Sequence, residues 1–265
     1  MGMGLLHVLW IYLYVGMRFL RWRIQLWSQR YHMMGSAQNR MKQTLLLIRH
    51  GQTTWNVENR LPGQIPGVEL TETGKQQATR LAEALSSLPI SAIISSPLER
   101  ARDTAAYIAK GRDLEIQFEA DLMDTKIGHW TGQVIRELAQ NDPAWKAYVK
   151  DPTVAPEGVE TFPQVQQRVV AAVERWLTKD IGAYPAFVAH ADVIKLIIAY
   201  YTGLEPGRAG SLLVENASVS VVEVEKEQRP RVLCIGWSPR PGWLTPPIEA
   251  PKKAEPEQEA GEQQT

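Results

Sequence analysis

Cysteine is nearly absent. Cys234 stands alone in 265 residues, which excludes an intramolecular disulfide framework and any cysteine-rich zinc site. Neither sign of charge is in excess, since 29 Lys and Arg balance 29 Asp and Glu. The whole-chain basic signal of a nucleic-acid binder is therefore missing, and no nucleic-acid partner is expected. Histidine is scarce too: His7, His32, His50, His129 and His190 are the five present, and no two stand at HxxxH or HxH spacing. A dedicated transition-metal site is not expected. Nor is there an apolar run of full membrane-span length. The run from Leu5 to Leu20 falls short of the roughly 20 residues a bilayer crossing needs, and it lacks the preceding basic residue and the small-residue cleavage site of a secretory signal.

What is present divides the chain into three parts. Residues 1–40 hold that apolar run followed by Arg21, Arg23 and Arg30. Two readings of this extension stand side by side: a membrane anchor through residues 5–20, with Arg18, Arg21 and Arg23 holding the rest of the chain in the cytoplasm, or a stretch upstream of a true start near Met41. Residues 41–243 form the folded unit, and residues 244–265, rich in Pro, Glu, Gln and Ala, read as a disordered tail. Within the folded unit short apolar runs alternate with helical periods. Thr44 to Ile48, Ala92 to Ser95 and Ala186 to Ala189 are strands buried on both faces. Thr73 with Gln76 reads as a capping box opening a helix that lays Ala78, Leu81, Ala82 and Leu85 on one face, and Thr161 with Gln164 opens another carrying Val165, Val169, Val173 and Trp176. Helices also follow Pro97, over Leu98 to Lys110, and His190, over Val193 to Tyr201. Ser218 to Glu225 and Arg231 to Trp237 read as a strand pair at the sheet edge. The pattern predicts a three-layer α/β/α sandwich with a mainly parallel sheet.

Ligands in such sheets collect at the carboxyl ends of the strands. Arg49-His50-Gly51, Ser96-Pro97-Leu98-Glu99-Arg100 and His190 all sit at such ends. Two histidines and two arginines from three strands describe an anion site with a nucleophile in it.

The same residues carry a family resemblance. LLLIRHGQTTWN resembles the RHG signature of the phosphoglycerate mutase-like histidine phosphatases, SSPLERARDTA their second phosphate-binding segment, PEGVET their Gly-Glu turn and FVAHADVIK their second-histidine segment. The resemblance implies that His50 attacks phosphorus, that Arg49 and Arg100 grip phosphoryl oxygens, that His190 completes the pocket and that Asn56 donates a further hydrogen bond. Such a cage can catalyse without metal or other cofactor. The family's acid is usually a glutamate four residues before the glycine of a G-x-W-x-G turn. Asp124 stands there in this chain, with Asp121 and Glu119 as nearby substitutes. Pro62 occupies a position that is often polar in relatives, with Gln64 two residues on able to reach the substrate. His129 and Trp130 could line the pocket, although Trp130 reads better as packed core, and Glu160 is expected to orient nearby donors.

The expected activity is a metal-independent phosphomonoester hydrolase acting on a small phosphorylated metabolite. A phosphoglycerate mutase-type phosphomutase is the alternative. A membrane-tethered phosphate-binding module without turnover is a third reading. The substrate and the oligomeric state are not legible in the sequence.

Overall fold

The computed structural model describes residues 42–242. The apolar run 5–20, Met41 and the chain from Trp243 onward therefore lie outside the described residues. Among the described residues no helix is long and apolar enough to cross a membrane.

Three apolar runs become the centre of one sheet because each can bury both faces. In β1 (Gln43–Arg49) Leu45 and Leu47 face one side while Leu46 and Ile48 face the other, all fully buried. After a short helix α1 (Thr54–Val57), α2 (Glu72–Ala84) leads into β2 (Ala92–Ser95), and α3 (Glu99–Ala109) leads into β3 (Ile116–Phe118). Two small helices follow, α4 (Ile135–Asn141) and α5 (Pro143–Lys150), then α6 (Phe162–Leu177), β4 (Pro185–Ala189) and α7 (Ala191–Thr202). The chain closes with β5 (Val219–Val224) and β6 (Arg231–Trp237). The strand order is β3-β2-β4-β1-β5-β6. The first four are parallel and the last two antiparallel, so the anticipated three-layer sandwich is the architecture observed.

Leu81 and Leu85 of the α2 turn and Ala101, Ala105 and Ile108 of α3 cover Leu46, Ile48, Ile93 and Val188 on one face. Val165, Val169 and Val173 of α6 with Ile194 and Ile197 of α7 cover Leu45, Leu47, Ile94 and Phe187 on the other. Burial of this kind contributes about 25 cal/mol per Å² of apolar surface, which outweighs the weak intrinsic preferences of short β-branched runs.

Insertion of β4 between β1 and β2 positions the site. The register sets Arg49 beside Ala189 and Ser95 beside Val188. His50, Ser96 and His190 consequently emerge at one level, at the point where chain order in the sheet reverses. Thr161 caps α6 reciprocally with Gln164, as the spacing predicts. The cap of α2 differs from expectation: Thr71, rather than Thr73, accepts from the Gly74 amide. Thr71 is held there because its amide and hydroxyl both donate to Gln52, which extends the helix by two residues. Helix α5 was not anticipated, although Asp142 caps it and Pro143 occupies its first turn.

Candidate active site

His50 follows β1 and is 3% exposed. Its Nδ1 lies 2.7 Å from the Gly51 carbonyl, a group that can only accept, so Nδ1 carries the proton and Nε2 keeps its lone pair. Burial, followed by the charges of His190, Arg49 and Arg100, holds the imidazole well below the ordinary histidine range. The ring is thus held neutral, with the Nε2 lone pair uncommitted. Its loop is tied down on three sides. The Gly51 amide donates to Thr104 Oγ1 at 3.0 Å, which itself donates to the Arg100 carbonyl. The Ala217 amide and Asn216 Nδ2 donate to the His50 carbonyl at 3.0 and 3.2 Å.

His190 emerges from β4 fully buried, its ring centroid 5.2 Å from that of His50. Its Nε2 lies 2.9 Å from Ser96 Oγ. Ser96 Oγ accepts from the Leu98 amide, and no other acceptor for its proton is found among the described residues, so the hydroxyl donates to Nε2. The imidazole proton is then on Nδ1, directed toward the Asp124 carboxylate at 3.6 Å. That distance suggests an ion pair, yet His190 is held well below the ordinary range by burial and then by Arg100, Arg49 and Arg168. At 3.6 Å the contact is too long for a hydrogen bond, and desolvation decides: His190 is neutral.

Arg49 donates Nη1 to the Val214 carbonyl at 2.8 Å. Arg100, fully buried, donates Nη2 to the Gly63 carbonyl at 2.7 Å and to Asp124 Oδ2 at 3.2 Å. Arg49 Nε, Arg100 Nε, Arg100 Nη1 and His190 Nδ1 are buried without any acceptor. A buried donor left unpaired costs about 1–3 kcal/mol, so four in one place are a cost that a tetrahedral oxyanion would remove. The donors present fit such a group, since guanidinium forks match phosphoryl oxygens.

Of the three acidic candidates, only Asp124 is brought to this cluster. Its Oδ1 accepts from the Thr125 amide, and its Oδ2 faces Arg100 and His190. Glu119 and Asp121 turn instead to Arg175, and Glu119 also accepts from the Trp176 indole. Asn56 uses Oδ1 for the Thr53 amide and Asn216 Nδ2, which leaves its NH2 end to donate. Gln64 spends an N–H on the Asp124 carbonyl, so it supports the Asp124 segment. Glu160 pairs with Arg168 at 2.7 Å. Trp130 is fully buried with its indole bonded to Asp142, whereas His129 is exposed. Among the described residues no group of three or more His, Cys, Asp or Glu is placed to hold a metal.

Ser96, Thr104, Arg168 and Asn216 are supporting residues that sequence reasoning did not single out. Ser96 and Thr104 lie inside the SSPLERARDTA segment, so position was legible there while role was not. Arg168 and Asn216 act through contacts across the fold, and no local signal marks them.

Comparison with known proteins shows the family of the chain. The model of the histidine phosphatase superfamily, branch 1, matches residues 45–237. A probable phosphoglycerate mutase GpmB of Shigella boydii is 34% identical over 194 residues, covering 72% of this chain and 88% of its own. The structure of mycobacterial glucosyl-3-phosphoglycerate phosphatase in complex with VO3 superposes with a TM-score of 0.69 at 30% identity, covering 74% of this chain and 100% of the other. That of the α-ribazole phosphatase from Shigella flexneri gives 0.67 at 26% identity, covering 73% and 96%.

Proposed function

Because the chain belongs to the histidine phosphatase superfamily, branch 1, we propose that it hydrolyses a phosphomonoester of a small metabolite through a phosphohistidine on His50, without a metal or other cofactor. The observation that carries this reading is the set of four unpartnered buried donors around the neutral His50 ring.

In the proposed reaction the substrate phosphoryl group takes up the free N–H groups of Arg49, Arg100 and His190, with the Asn56 amide as a further donor. His50 Nε2 attacks phosphorus while the ester P–O bond breaks. Asp124 gives its proton to the departing oxygen. Asp124 then takes a proton from water, whose oxygen attacks phosphorus and releases inorganic phosphate and free His50. Two arginines and preorganised N–H groups supply the positive charge that phosphoryl transfer needs.

A phosphomutase is the second reading, favoured by the name of the curated relatives. Hydrolysis is preferred because the stretch between Arg100 and Glu160 is short and leaves little chain to shield the site. The names of the structural neighbours also point to phosphatases. The deciding measurement is release of inorganic phosphate by the full chain, with EDTA present, from an aryl phosphate and a panel of sugar phosphates, phosphoglycerates, nucleotides and ribazole phosphates. Release that persists in EDTA and vanishes in His50→Ala is expected. Phosphoryl movement supported by bisphosphoglycerate without free phosphate would replace hydrolysis by the mutase reading.

A further inference from the structure

Three arginines lie close to the Asp124 carboxylate or its backbone, and they differ in what their N–H groups do. Arg49 and Arg100 keep buried donors without a partner. Arg168, from α6, keeps none. Its Nε donates to Glu160 Oε1 at 2.7 Å, and Nη1 donates to the carbonyls of Asp121 and Met123 at 2.7 and 2.9 Å. Nη2 donates to the Asp124 carbonyl at 2.8 Å and to Glu160 Oε2 at 2.9 Å. A guanidinium has five N–H bonds, and all five are accounted for. Arg168 therefore has nothing left to offer a phosphoryl group.

What it grips is the segment that carries the carboxylate. Residues 123–126 belong to no helix or strand and Ile127 makes only an isolated antiparallel bridge to Val159, so no repeating backbone ladder sets the path of this stretch. Arg168 takes its carbonyls at residues 121, 123 and 124 from one side. Glu160, locked onto the same guanidinium, accepts from the Lys126 amide at 2.8 Å, and its own amide donates to the Lys126 carbonyl at 2.8 Å. Gln64 adds a bond to the Asp124 carbonyl. The stretch is thus held at both ends and in the middle by side chains from α6 and from the turn before it.

We propose that Arg168, locked by Glu160, is a positioning residue for the proposed acid and base: it sets where the Asp124 carboxyl stands relative to the leaving oxygen. This rests on the reading of Asp124 given above. The shorter side chain of aspartate makes the demand sharper, because there are fewer rotatable bonds with which to recover a backbone shift. A misplacement of about 1 Å at a reacting group costs on the order of 10²-fold in rate.

Arg168→Lys tests this, since it keeps the positive charge but offers three donors where five are used. The full chain, wild type and variant, is assayed for kcat/KM on 4-nitrophenyl phosphate, whose leaving group needs no proton, and on alkyl phosphates, whose leaving group does. The expected result is a loss of about 10–100-fold on alkyl phosphates and less than about threefold on the aryl ester, giving a steeper dependence on leaving-group basicity. Glu160→Gln should change the same ratio in the same direction. Equal losses on both substrates would mean that Arg168 only supports the fold and would overturn the proposal, as would no loss on the alkyl esters. Wild-type turnover separately tests the hydrolase reading. A readout independent of turnover is the crystal structure of Arg168→Lys with inorganic phosphate. Displacement of the Asp124 carboxyl from its wild-type position is expected, and an unmoved carboxyl overturns the proposal.

Discussion

Replacing Gly51 by alanine would add one methyl group directly behind His50. The new Cβ would lie 2.5 Å from the Gly74 carbonyl oxygen, against the 3.4 Å at which ordinary contact begins. The obstacle is backbone, at the first turn of α2, and no side chain can rotate out of the way. About 0.9 Å must be opened between the His50 loop and α2, the difference between those two distances. Overpacking of this size costs about 1–3 kcal/mol, which at roughly 2–4 °C per kcal/mol for a chain of this length is a measurable fall in Tm. The shift is also transmitted to the chemistry, because His50 Nδ1 is bonded to the Gly51 carbonyl. Moving that carbonyl turns the ring and re-aims Nε2, and a loss in kcat of about 10–100-fold is expected. Circular dichroism melting and phosphate release on one substrate at saturation measure the two effects. Gly74→Ala, whose Cβ would meet the Gln52 carbonyl oxygen at 2.0 Å, should reproduce both. Wild-type Tm and kcat in Gly51→Ala would refute the steric reasoning.

Ser96→Ala removes the hydroxyl that fixes the His190 tautomer; kcat should fall about tenfold, in keeping with a lost hydrogen bond of roughly 1–1.5 kcal/mol, with Tm changing by only a few degrees. Asn216→Asp puts a carboxylate oxygen where Asn216 donates to both the His50 carbonyl and Asn56 Oδ1; a flip of the Asn56 amide would set its NH2 against the Thr53 N–H, so repulsion should displace Asn56 instead, raising KM for substrate and Ki for inorganic phosphate several-fold more than Asn216→Ala does. Stability should also depend on pH. His50 and His190 are both held well below the ordinary histidine range, by burial first and then by neighbouring cations, so below about pH 6.5 the unfolded chain binds protons that the folded site refuses. The stabilisation is fully present above that pH and is lost as pH falls, by up to about 1.4 kcal/mol per pH unit for each imidazole. A Tm between pH 7.5 and 5 that declines no less steeply in His50→Gln than in wild type would contradict this.

The order of elements was legible because burial on both faces leaves a mark in the sequence. Thr44 to Ile48 can only be the inside of a sheet, and Val165, Val169 and Val173 can only be one side of a helix. That His50, His190, Arg49 and Arg100 come together was legible for a related reason: arginine and histidine directly after buried strands are costly to bury and stand out in the sequence. The pairing of β1 with β4 and β5 is a property of the whole chain and has no local cue. Thr71 displaced Thr73 as a cap through contacts to Gln52, which follows β1 and is distant from the helix in sequence. The contacts of Arg168 were hidden in the same way, since three of its partners are backbone carbonyls of another segment, which any sequence there would present.

Insertion of β4 has a consequence for how the molecule is made. Both strands that flank β1 come from the last third of the chain, at residues 185–189 and 219–224. On the ribosome β1 is completed early and then waits. At synthesis rates of roughly 5–20 residues per second the wait is on the order of ten seconds, with Leu45 to Ile48 lacking both hydrogen-bond partners, and Leu45 and Leu47 lacking the later helices α6 and α7 that cover them. The nascent chain in that interval carries a hydrophobic strand with two open edges, the kind of segment that chaperones hold and that neighbouring chains can capture. Truncations that stop before residue 185 should therefore collect as aggregates. His50, Arg49, Arg100 and His190 meet only after β4 has threaded between β1 and β2, so no partly made copy holds the assembled cluster.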